Sequence, residues 1–167
     1  LRLADQVVCT THSPEVARLF EPTATLVVSN EDGTVVGRPL LAKPLTAAAK
    51  AWERKFYGLS RGRVVCALMH PFVLVPEGRL DTDWLARIAA LGDSEQTQVP
   101  PFACVYGLAP TEDAKVMETV EHMGQLRDRI VALVDGDRAG DDYAKKLLNL
   151  TPPPSAIIQW PPNWTIE

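Results

Sequence analysis

The chain has 167 residues, 46% of them hydrophobic, enough for one domain with its own core. No apolar run approaches the roughly 20 residues that span a bilayer, so no membrane partner is expected. The net charge of −4 argues against a broad basic face for nucleic acid. It leaves room for an acidic pocket whose bound cations reverse the local sign.

Residues 6–10 form a short apolar run read as a strand. Ser13 and Pro14 then give an N-cap and first helical position for a helix to about Phe20. Residues 23–30 and 34–39 are β-rich and flank Asp32-Gly33, a hairpin turn signal. Thr46 is expected to cap a helix running to Tyr57 and ended by Gly58, and residues 60–69 form a further helix.

From Phe72 the pattern alternates. Residues 72–75, 102–106 and 130–134 read as buried strands, and 156–160 as a fourth strand. Between them lie helices over 81–91, from Thr111 to about Met123, and over 139–150. Leu80, Trp84, Leu85, Ile88 and Leu91 make an apolar stripe on the first, and Tyr143, Leu147 and Leu150 on the last. Apolar strands alternating with helices predict an α/β fold with a parallel four-stranded sheet flanked by helices. Sites in such sheets lie at the carboxyl ends of the strands.

Two acidic junctions stand there. Val73-Leu74-Val75 runs into Pro76-Glu77-Gly78-Arg79-Leu80-Asp81, and Val131-Ala132-Leu133-Val134 runs into Asp135-Gly136-Asp137-Arg138-Ala139-Gly140. Asp-Gly-Asp alone is most often a turn, and Asp81 alone an N-cap. Their conjunction in one alternating domain points to a divalent-metal site. Neighbouring strands are about 4.8 Å apart, so carboxylates on two strand ends can share cations. Two cations about 4 Å apart would activate water and stabilise the leaving oxygen of a phosphodiester.

These motifs resemble the Toprim domain, in which one strand ends in a glutamate and a later one in Asp-x-Asp. Asp5-Gln6-Val7-Val8-Cys9-Thr10-Thr11-His12-Ser13-Pro14 is similar to the last strand and switch-histidine loop of an ABC-type ATPase. Together they resemble the OLD (overcoming lysogenization defect) family of nucleases. The resemblance implies a Toprim (Rossmann-like) domain over 71–167, a hairpin and helical connector over 23–70, and an ATPase tail over 1–22. It implies a bacterial, cytoplasmic, ATPase-coupled DNA endonuclease or nickase using Mg2+ or Mn2+. Glu77, Asp81, Asp135 and Asp137 match its catalytic, metal-binding positions, and Glu167 a later acidic position of the metal site. DNA is the implied partner, with homodimerisation and ATP belonging to the rest of the ATPase.

The chain departs from the family at Pro76, where an aliphatic residue is usual, and it contains no GxxxxGK[ST] loop. A family lysine is expected beyond Glu167. The opening residues are neither a signal peptide nor an initiator methionine, so the chain reads as a fragment. Cys9, Cys66 and Cys104 lack zinc spacing and read as buried free thiols of a reducing cytoplasm. His12, His70 and His122 read as surface or structural residues, Lys145 and Lys146 as a solvated face, and Trp160 and Trp164 as packing residues. The alternative reading is a non-catalytic Toprim module for DNA binding or assembly.

Overall fold

The computed structural model describes residues 7–92 and 105–166. Helix α1 is a single turn, Pro14–Ala17, capped by Ser13, whose Oγ accepts the Val16 N–H at 3.4 Å. Strands β1 (Leu26–Glu31) and β2 (Thr34–Pro39) form the expected antiparallel hairpin. Asp32 and Gly33 both have positive φ, 50° and 88°, the backbone that a tight two-residue hairpin turn requires. Helix α2 (Ala51–Arg54) runs through a π turn, Lys55–Leu59, into α3 (Arg61–Leu68).

The second half holds β3 (Phe72–Pro76), α4 (Arg79–Gly92), β4 (Tyr106–Leu108), α5 (Val116–Gly124), β5 (Ile130–Val134), α6 (Arg138–Leu147) and β6 (Ala156–Gln159). The four strands lie parallel in the order β4-β3-β5-β6, a Rossmann-like arrangement. The pleat divides the core. Val73, Val75, Ile130, Ala132 and Val134 pack on one face with Val64, Val116, Val120, Met123 and Leu147 from α3, α5 and α6. Leu74, Val131 and Leu133 face the other way, against Leu85 of α4. The chain leaves β3 toward β4 through α4 on one face. It returns past β3 to β5 through α5 on the opposite face. Strand order therefore reverses between β3 and β5, and the crevice at that switch point is where such sheets bind ligands.

Several local expectations are corrected. Val7–Thr10 carry no strand, with Val7 and Val8 about four-fifths exposed. A strand needs a neighbour for its backbone groups, and none pairs with this segment among the described residues. Thr46 does not cap α2. Lys50 occupies that position, its N–H donating to Glu53 Oε2 at 2.8 Å. The helix does not end at Gly58, because the π turn carries the chain to Ser60. Thr111 is buried rather than capping, and α5 starts at Val116 after Ala114 at φ 56°. Strand β4 begins at Tyr106, and residues 102–104 of the expected strand lie outside the described residues.

The stripe on α4 is largely open to solvent. Leu85 is buried, but Leu80, Trp84, Ile88 and Leu91 are exposed. Cys9 and Cys66 are exposed free thiols rather than buried ones, and Cys104 lies outside the described residues. No described helix is long and apolar enough to cross a membrane.

Candidate acidic site at the switch point

Glu77 follows β3 and Asp135 follows β5, and these strands are neighbours. Their ends are tied directly: the Asp135 N–H donates to Glu77 Oε2 at 2.8 Å. Asp81 sits in the first turn of α4, is 7% exposed, and accepts the Gly78 N–H on Oδ2 at 2.8 Å. Thr82 Oγ1 donates to the Gly78 carbonyl at 2.9 Å, closing the same turn. Asp137 is the N-cap of α6, its Oδ1 accepting the Gly140 N–H at 2.8 Å. Each of three acidic side chains thus engages a backbone amide at a strand-to-helix junction, and Asp81, Asp135 and Asp137 all lie near enough to Glu77 for their charges to act on it.

The glycines of the Asp135 loop are required by close approach. A Cβ on Gly136 would stand 1.9 Å from the Pro161 carbonyl oxygen, and one on Gly140 2.0 Å from that of Asp135. The loop after β6 packs on this turn. Gly136 N–H donates to the Trp164 carbonyl at 2.8 Å, and Asn163 N–H to the Gly136 carbonyl at 2.7 Å.

Two contributors escaped the sequence reading. Asp113, from the loop after β4, accepts the Arg79 N–H on Oδ1 at 3.1 Å and brings a further carboxylate beside Gly78. Gln159, at the end of β6, donates to the Asp135 carbonyl at 3.2 Å and to Asp141 Oδ1 at 2.7 Å. Neither belongs to an acidic strand-end motif; only the strand order brings them in. Glu167 lies outside the described residues.

Burial pushes the Glu77 carboxyl above the usual glutamate range. The Asp135 amide bond pulls it down, and the neighbouring charges of Asp135, Asp137 and Asp81 push it further up. The donor set is all carboxylate oxygen, as Mg2+ or Mn2+ prefers, and a cation would relieve this repulsion. In chemistry and charge the residues fit such an ion. Among the described residues, no group of three or more Asp, Glu, His or Cys side chains is placed so that it could hold a metal ion.

The remaining polar candidates fall elsewhere. His12 is exposed and His70 half-buried, and His70 Nδ1 contacts the Cys66 carbonyl at 2.9 Å. Arg138 is exposed beside Asp137, and Lys145 and Lys146 are exposed on α6. Trp160 packs against the smaller core cluster, whereas Trp164 is exposed and contributes its carbonyl to Gly136. Comparison of the chain with protein-family models, with curated proteins and with solved structures gives no match.

Proposed function

We propose that this chain carries the Toprim domain of an OLD-like, divalent-metal-dependent DNA endonuclease or nickase. The observation that supports it most is the pairing of Glu77 with Asp135 across the switch point, with Asp81 and Asp137 on the flanking helix starts. In this reading Glu77, Asp81, Asp135 and Asp137 hold Mg2+ or Mn2+, with Glu167 as a further ligand. The bound cations would activate water and stabilise the 3′ leaving oxygen of a phosphodiester.

The chain's own residues fix the frame. The Glu77–Asp135 bond sets the spacing of two strand ends. Gly136 and Gly140 let the Asp135–Asp137 turn lie close against residues 161–164 and the start of α6. Exposed Arg138 offers a phosphate contact at the rim. Few groups there could read base edges, so cleavage would follow backbone shape more than sequence. The ATPase tail over 1–22, dimerisation and ATP use belong to the same proposal.

The test is plasmid nicking by the intact protein with magnesium or manganese. Loss of nicking in Asp135→Ala is expected; equal nicking by wild type and variant would sink the reading. A non-catalytic assembly module is favoured by one observation, the exposed apolar stripe Leu80, Trp84, Ile88 and Leu91. Calorimetry with manganese separates the two, since the assembly reading predicts no heat of binding.

A further inference from the structure

Away from the acidic crevice, a cavity of about 550 Å³ opens between residues 38–49 and the faces of α2 and α5. That volume lies within the range of small-molecule sites. Leu40, Leu41, Leu45 and Leu126 supply aliphatic wall, and Tyr57 and His122 supply a polar one. The Tyr57 hydroxyl and His122 Nδ1 are 2.8 Å apart. Trp52 lies edge-on to the imidazole at 4.9 Å and stacks on Phe56 at 5.0 Å, so the pair is held in an aromatic frame. Tyr57 projects from the π turn Lys55–Leu59, a local widening that recurs at functional sites.

Burial drives Tyr57 up to about 12 and His122 below its ordinary value, so both are neutral near pH 7. A neutral phenol and a neutral imidazole hold two polar hydrogens between them, and their mutual bond uses one. If Tyr57 donates, the His122 Nε2–H remains; if His122 donates, the Tyr57 O–H remains. Either tautomer leaves one donor.

The charges of the lining select no ion. Arg38 is taken by Glu31, its Nη2 bonding Oε2 at 2.8 Å. That leaves one cation, Lys43, and one anion, Glu53.

We infer that this cavity binds a neutral, ring-sized apolar molecule bearing one hydrogen-bond acceptor, such as an aryl amide or ketone, with the acceptor met by the Tyr57–His122 pair. The experiment titrates three probes into the full chain: acetanilide, propylbenzene, which lacks the acceptor, and phenylacetate, which is an anion. Calorimetry gives affinities, and ring-nitrogen NMR of His122 gives location, with His12 and His70, which do not line the cavity, as internal controls. Acetanilide is expected to bind saturably, to shift His122 alone, and to bind about tenfold tighter than propylbenzene, the size of one net hydrogen bond. Phenylacetate should bind more weakly than acetanilide. The double variant Tyr57→Phe/His122→Phe should bring acetanilide down to the propylbenzene affinity. No saturable binding, equal affinity for acetanilide and propylbenzene in the wild type, tighter binding of phenylacetate, or undiminished acetanilide binding by the folded double variant would each overturn the inference. The wild-type comparison needs no variant to fold.

Discussion

Glu77 Oε2 takes the backbone N–H of Asp135 at 2.8 Å, so an acidic side chain from one strand end satisfies the amide of the next. The same carboxyl stands among Asp81, Asp135 and Asp137, which push its pKa upward together with burial. Structure and charge therefore oppose each other at one residue. Glu77→Gln retains a carbonyl acceptor and removes the charge. A carboxyl whose folded pKa is raised contributes stability below its ordinary value of 4.5, lost as pH rises through the raised value. In chelator, the variant should match wild type near about pH 4 and melt roughly 2 °C higher near about pH 7. With cation present it should lose cleavage by at least about 100-fold, the upper end of what outer-shell changes alone cause. Glu77→Ala breaks the tie as well and should cost about 1–2 kcal/mol in denaturant melts.

Asp137 is both a helix cap and a proposed ligand, and two substitutions separate the roles. Asn caps as well as Asp, so Asp137→Asn should unfold within about 0.5 kcal/mol of wild type. Asp137→Ala forfeits the bond to the Gly140 N–H and should cost about 1 kcal/mol. If the charge serves cation binding, calorimetry with manganese should fail equally for both. Retained binding in Asp137→Asn would confine this residue to capping.

The alternation of strands and helices made the parallel sheet legible from residues 72 onward, because β3 and β5 are apolar on both faces and the helices between strands are periodic. Glu77 and Asp135 were legible as strand ends, but their contact depends on β3 and β5 being neighbours, which no local pattern encodes. Asp113 and Gln159 enter through the same strand order. Thr111 looked like a cap because Thr is a capping residue, yet tertiary burial claimed it and the helix started later. The stripe on α4 was legible as one apolar face of a helix, but periodicity does not report exposure, and of its five residues only Leu85 is buried. His122 looked incidental because its partners, Trp52 and Tyr57, are far away in sequence.

Gly140 and Gly58 test whether close approach, rather than backbone freedom, fixes the glycines. A Cβ at Gly140 would lie 2.0 Å from the Asp135 carbonyl oxygen, and backbone cannot swing aside as a side-chain tip can. Gly140→Ala should therefore cost about 2–3 kcal/mol and disturb the Asp135–Asp137 turn. Gly58 has nothing within 4 Å of such an atom and sits in the π turn. Gly58→Ala should be neutral or stabilise by up to about 1 kcal/mol. Chemical denaturation of the two variants side by side checks both; equal cost would mean that a backbone shift relieves the crowding at Gly140.

Glu31 and Arg38 are joined by an ion pair between the two strands of the hairpin, with Asp128 3.6 Å from the same guanidinium. The Arg38 bond, aided by Ser29, holds the Glu31 carboxyl down to about 2. Its contribution is present above the ordinary carboxylate value and lost as pH falls through about 2. Carboxyl-carbon NMR should give Glu31 a midpoint near about 2, returning to the ordinary range in Arg38→Gln. A midpoint near 4.5 in the wild type would mean that the pair does not persist in solution.

Tyr57 and His122 titrate at opposite ends of the pH scale, and both shifts come first from burial. Around His122, Glu53, Glu121 and Glu118 favour the proton and Lys50 opposes it, without overcoming burial. A histidine with a lowered folded pKa lends stability above its ordinary value of 6.5, lost as pH falls through the folded one. A tyrosine raised to about 12 lends stability below 10.0, lost as pH rises toward about 12. The stability that the pair contributes should therefore be full between about pH 7 and pH 10 and decline on both sides. Absorbance titration should find one tyrosine ionising near about 12, absent in Tyr57→Phe. That variant should also flatten the alkaline limb of melting temperature against pH, leaving the acid limb, which belongs to the imidazole. Should His122→Phe leave the acid limb unchanged, the erosion would have to come from the carboxylates instead.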